Sequence, residues 1–204
     1  MHTGMHLLHH YAMMHLLLHV IFHYADTRHM ELDQVIRRRR MIRKYQKREV
    51  PEQLIDKMID NACRAPSAGH TRVQEFIVVK DRATKRKLKL ASVNQDHLEQ
   101  APVLIVVCSN TSRSVGRYGR RGIEFYSVVD GAFASMLILL TATNEGLGAG
   151  FVGAFDDDKV SEILGLPEDG SVRPVGIIAI GYPDEEPPRL GRIARDRIVH
   201  RERW

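Results

Sequence analysis

The chain has 204 residues, 44% of them hydrophobic and 27% charged, a balance that fits one soluble globular domain with a sizeable core. A net charge of +5 points to an anionic ligand or surface without choosing between nucleotide, nucleic acid and phospholipid. Only two cysteines are present, Cys63 and Cys108, each in an apolar context and neither in a zinc spacing; both are expected to be buried thiols in a reducing compartment.

The chain opens with MHLLHHYAMMHLLLHVIFHY, residues 5–24. Its apolar run, 7–22, is interrupted by His9, His10, His15 and His19 and falls short of the roughly 20 residues of a spanning helix. A signal peptide's positive start and cleavage site are missing, so the chain is read as cytoplasmic, with no membrane partner. His15, His19 and His23 stand at four-residue spacing, which can bind a metal ion, but no carboxylate or cysteine lies close enough in sequence to complete a site. No metal is expected. Residues 1–29 read as an extension, and 30–204 as a single domain.

From Met30 a short helix runs into a basic turn. Residues 50–65 form a helix with Pro51 near its start and Leu54, Ile55, Met58, Ile59 and Ala62 on one face. Pro66 and Gly69 break it. A short strand follows at 75–80, then a basic helix capped by Asp81. Residues 102–109 are a continuous apolar strand of the kind buried on both faces. Residues 130–148 form a long apolar core helix, 148–155 a third extended segment, and 156–165 a capped helix closed by Gly165. A fourth strand spans 172–183, and a Pro- and Arg-rich tail ends the chain. Helices and buried strands in one domain make the class α/β or α+β, with a central sheet under helices.

Four segments carry possible chemistry. Residues 37–48, RRRRMIRKYQKR, are either a solvated charge run or an anion site. On a helix, Arg39 and Arg43 would share a face and converge on one phosphate. A nucleic-acid surface would want more aromatic platforms than Tyr45. Residues 64–76, RAPSAGHTRVQEF, read as a loop whose small residues admit a flat ligand, with Ser67, His70 and Arg72 as donors. At 151–167, Gly153 and Ala154 leave little bulk at a strand end, and the acidic start of the next helix disfavours a phosphate there. In the tail, Arg189, Arg192 and Arg195 could reach a phosphate or a partner chain.

In this order the four segments resemble the FMN-dependent nitroreductase family over about residues 31–200. The family's Arg-Arg-Ser-x-Arg pattern is answered by Arg39-Arg40-Met41-Ile42-Arg43, and its Pro-Ser-x-x-Asn loop by Pro66-Ser67-Ala68-Gly69-His70. Its small pair before Phe-Asp is met by Gly153-Ala154-Phe155-Asp156, and its Gly-Tyr-Pro by Gly181-Tyr182-Pro183. The resemblance implies a nitroreductase-like α+β sandwich, with a central, mostly antiparallel sheet flanked by helices, working as an intertwined homodimer with FMN at the interface. It implies NAD(P)H as electron donor and ping-pong reduction of a quinone, nitro compound or related acceptor. It also implies a cofactor-binding set of Arg39, Arg40, Arg43, Pro66, Ser67, His70, Arg72, Gly153, Ala154, Arg189 and Arg192. Arg39 would grip the phosphate with Arg192 and Arg189, and Arg43 would face the flavin pyrimidine edge. Ser67 and His70 would come from the other subunit, and Gly153 and Ala154 would lie against the ring near N5. Catalytic side chains are not expected, because the hydride chemistry belongs to the flavin.

Met41 replaces the usual Ser, His70 the usual Asn, and Arg72-Val73-Gln74 the usual Gln-Pro-Trp; Met136 and Leu137 stand where a Gln-Asn pair is frequent. Two other readings stand beside the leading one. One keeps the fold and FMN for dehalogenation, flavin cleavage or azoline oxidation. The other is a binder of nucleic acid or acidic surfaces through residues 37–48.

Overall fold

A computed structural model describes residues 30–188 and 190–204, so the histidine-rich segment and Arg189 lie outside the described residues. The chain divides into a unit ending at Arg37 and a second running from Arg38 to Trp204. The described part of the first is the start of helix α1 (Leu32–Arg38).

The second unit is built on four strands: β1 (Gln74–Val79), β2 (Val103–Asn110), β3 (Gly148–Val152) and β4 (Val172–Gly181). They lie in the order β1-β2-β4-β3, and every pairing is antiparallel. The unbroken apolar run of β2 reflects two covered faces. Val103, Ile105 and Val107 point to one side with Ile178 and Ile180 of β4, and Leu104, Val106 and Cys108 to the other with Ile177 and Ala179.

Helices α2 (Glu52–Ala62) and α6 (Ser127–Asn144) cover the first face through Ile55, Met58, Ala134, Ile138 and Ala142. The helical run Ser112–Asn144 is long and apolar enough by composition to cross a membrane. Here Ala134, Ile138, Leu139 and Ala142 go into this core, while Val115, Phe125, Phe133 and Met136 stay exposed. Helices α3 (Arg82–Ala91), α4 (His97–Gln100) and α7 (Asp157–Leu164) cover the second face through Leu88, Ala91, Leu98 and Val160. The capping expectations hold: Asp81 accepts from the Thr84 N–H, Asp156 from the Lys159 N–H, and Gly165 closes α7 in the left-handed conformation.

Three expectations are corrected. Helix α1 ends at Arg38, and Met41 pairs in parallel with Ala149, so Arg39 and Arg43 do not sit on a helix. Cys63 follows the last turn of α2 and is exposed, whereas Cys108 is buried and its thiol is pushed up to about 12 by that burial. Residues 112–126, for which no element was expected, form helix α5 (Ser112–Arg121) and a π-helical turn, Gly122–Tyr126.

Register slips between Val107 and Cys108, where β4 presents Gly176 and then Pro174. A bulge is one of the few places inside a sheet that tolerates proline. Beside it, a Cβ at Gly176 would fall inside the Phe151 ring, so only glycine lets that ring lie flat on β4.

Candidate active site

The basic segment is laid along the free edge of β3. Ile42 donates its N–H to the Ala149 carbonyl at 3.0 Å, and its side chain packs where a Cβ on Gly148 would stand. Met41 answers from the alternate side: its sulfur accepts the Phe151 N–H at 3.4 Å. The thioether thus replaces the missing hydroxyl with a contact to the β3 backbone. Tyr45 fixes the other end, its buried hydroxyl donating toward the Ile42 carbonyl at 2.6 Å and the Ala179 carbonyl at 3.0 Å. Burial holds that phenol well above its ordinary range.

Arg39 and Arg43 flank the single bridge at Met41, Arg39 half-buried and Arg43 exposed. Arg40 is half-buried and donates to the Arg39 carbonyl at 2.8 Å. Nη1 of Arg39 is buried and has no hydrogen-bond partner. A buried guanidinium nitrogen without an acceptor is costly unless an anion completes it. The Arg43 side chain is exposed, while its N–H is held by the Glu185 carboxylate. Because the segment runs parallel to β3, Arg39 lies toward the Gly148 end. Gly153 and Ala154, both exposed, follow the other end.

The 66–72 loop is a second cluster. Ala68–His70 makes one 3₁₀ turn, and Gly69, His70 and Arg72 all have positive φ, at 56°, 60° and 50°. Such conformations persist in non-glycine residues only where surroundings impose them. Here Asp130, buried in the apolar helix α6, receives the Ala68 N–H on both carboxylate oxygens at 3.1 Å. Burial raises its pKa and the Ala68 bond opposes that shift. Ser67 Oγ accepts the Arg72 N–H at 2.9 Å. From α5, Arg113 donates to the Arg72 carbonyl and Arg117 to the Gly69 carbonyl, and Tyr118 stands where a Cβ on Gly69 would be.

Arg72 can only donate, so its bonds to His70 Nε2, at 3.1 and 2.7 Å, make that nitrogen the acceptor and put the ring proton on Nδ1. His70 therefore offers an N–H from its far side, as an asparagine amide would. Pro66 is exposed at the loop's start and Ser67 half-buried.

The structure thus gathers Arg39, Arg40, Arg43, Gly153 and Ala154 along the β3 edge, and Pro66, Ser67, His70 and Arg72 in front of β1. These strands are at opposite edges of the sheet, three strand spacings or about 14 Å apart. Arg192 is exposed in the tail, and no hydrogen bond or ion pair among the described residues draws it to either cluster. Asp130, Arg113, Arg117 and Tyr118 were not anticipated. The available signal for Asp130 was a lone carboxylate inside DGAFASMLILL.

The donor set fits flavin mononucleotide. It offers a buried, unpartnered guanidinium nitrogen for a phosphate, small residues that leave a strand end open for a ring, and a preorganised loop of polar donors. A sandwich whose edge clusters offer guanidinium, hydroxyl and imidazole donors is suited to hold and orient a bound cofactor.

The chain belongs to the nitroreductase family, whose model matches residues 36–95 and 89–182. It is 39% identical over 179 residues, 86% of this chain and 88% of the relative, to a protein of Methanothermobacter thermautotrophicus provisionally named NADH dehydrogenase/NAD(P)H nitroreductase. It is 27% identical over 180 residues, 81% and 71% of the two chains, to the FMN reductase [NAD(P)H] of Bacillus subtilis. A crystal structure of a Parabacteroides distasonis protein, given the same provisional name as the archaeal relative, superposes with a TM-score of 0.75 at 27% identity, covering 85% of this chain and 98% of that one.

Proposed function

We propose that the protein is an FMN-dependent oxidoreductase that takes electrons from NAD(P)H and passes them to a quinone, nitro compound or related acceptor. The observation that carries this is the buried, unpartnered Nη1 of Arg39 on the β3 edge, in a chain whose relatives include an FMN reductase.

Arg39 would hold the phosphate, with Arg192 and Arg189 closing from the tail. Arg43 would lie at the pyrimidine edge, where positive charge favours an anionic ring. Gly153 and Ala154 would lie against the ring because neither carries bulk. Ser67 Oγ and His70 Nδ1–H would supply polar contacts, held in place by Asp130 and Arg117. Bound flavin supplies the electron transfer; the protein's residues bind it, orient it and keep its charge balanced.

The two clusters lie on opposite sheet edges, so one chain does not bring them together around a single ring. A second copy supplies the missing half, making the working form a homodimer with FMN at its interface. The catalytic domain is 30–204, cytoplasmic, with residues 1–29 dispensable for flavin chemistry.

The test is steady-state oxidation of NADH and NADPH against quinones and nitroaromatics. Parallel double-reciprocal lines at several fixed acceptor concentrations are expected of alternating half-reactions. Intersecting lines, or flavin-loaded protein that oxidises neither donor, would count against this reading.

A further inference from the structure

Helix α5 and its π-helical turn put more positive charge beside the 66–72 loop than flavin binding uses. Arg113 is paired with Glu75, and Arg120 with Glu124. Arg72, Arg117 and Arg121 have no ion-pair partner among the described residues. Each spends only part of its fork: Arg72 on His70, Arg117 on the Gly69 carbonyl, and Arg121 Nε on the Tyr126 hydroxyl at 3.2 Å.

The same surface is aromatic. The Tyr118 and Tyr126 rings meet edge to face at 5.1 Å, and Phe125 and Tyr126 at 5.7 Å. Arg121 lies over Phe125 at 4.8 Å and Tyr126 at 5.3 Å. Phe125 is 50% exposed, so a flat apolar face remains open beside unneutralised guanidinium groups. The platform is built rather than incidental: the helix is broken at Gly119 (φ 53°, ψ −139°), and Gly122 packs directly on Ser114 and Tyr118. π-Helical turns concentrate at functional sites.

We propose that this platform binds the 2′-phosphoadenosine end of the hydride donor and makes NADPH the preferred donor over NADH. The inference rests on the FMN reading, which brings the nicotinamide to a ring beside Ser67 and His70. Arg113 and Arg117 of α5 bond the carbonyls of that same loop, so the α5 surface adjoins the place the donor would occupy. A phosphate monoester is recognised by guanidinium forks and adenine by aromatic and guanidinium planes. NADH carries the adenine but lacks that phosphate.

The test is calorimetric titration of the FMN-loaded protein with 2′,5′-ADP and with 5′-AMP, which differ only in the 2′-phosphate. The first is expected to bind about tenfold tighter, the equivalent of one charge-assisted contact. Arg121→Ala should erase most of that difference and lower the NADPH-to-NADH ratio of kcat/KM by a similar factor, and Arg121→Lys should restore part of both. Equal binding of the two nucleotides by the wild type would overturn the proposal. So would an unchanged preference in Arg121→Ala, or a variant that alters KM for a sulfonated naphthoquinone but not for NADPH. Protein that takes up no flavin would refute the underlying reading instead, and the same titration of the flavin-free protein would then decide the platform by itself.

Discussion

Arg39 and Arg43 illustrate how a local pattern and a long-range contact decide different things about the same side chains. Four-residue spacing would put both on one face of a helix, but helix α1 ends at Arg38, so only their closeness along the chain was legible in the sequence. That the segment leaves the helix to bridge β3 at Met41 was not, because the deciding partner, Ala149, is remote in the chain. Arg39→Ala should weaken FMN binding about tenfold to a hundredfold, since a charge-assisted contact is worth about 1.5–3 kcal/mol. Its effect on the melting temperature of flavin-free protein should be small, because the residue trades an unpaired buried nitrogen for a methyl group. Fluorescence titration with FMN checks the first and a thermal melt the second.

His97, buried on α4, makes a prediction about pH. Burial lowers its pKa below the ordinary 6.5, helped by Arg43 and opposed by Glu185 and Asp96. The unfolded chain therefore takes up this proton first as pH falls below about 6.5, and stability declines with it. His97→Gln should flatten that decline in urea denaturation. Asp130 acts with the opposite sign and at lower pH, because its raised carboxyl pKa makes the folded form the stronger proton acceptor. An unchanged slope in His97→Gln would remove His97 as its source.

At the scale of elements, the strands were the most legible part. β2 is a continuous apolar run buried on two faces, and β4 becomes one from Gly176 onward. Their pairing was not readable from such runs, which are as usual in parallel sheets; the antiparallel order emerges from the connections. Helix α5 was silent because Gly116, Gly119 and Gly122 interrupt it and its arginines show no apolar period. Yet α5 and Asp130 of α6 hold the strained loop in place. Asp130→Ala should release the Ala68 N–H, loosening the loop and weakening FMN binding several-fold. Asp130→Asn keeps one acceptor oxygen and should retain most of the affinity. Equal losses in both variants would show that charge, and not the hydrogen bond, is what the loop needs.

For the whole molecule, the proposed chemistry belongs to residues 30–204, and the proposed site is divided between opposite sheet edges. A chain starting at Met30 should fold and bind FMN as the full chain does. Loss of flavin binding on that truncation would give residues 1–29 a role in the site. The most direct test of the central claim is the flavin stoichiometry of the purified protein after saturation with FMN, read from its absorption spectrum alongside its sedimentation behaviour. One FMN per chain is expected, carried by a species of twice the chain mass. A colourless protein that takes up no added FMN would contradict it.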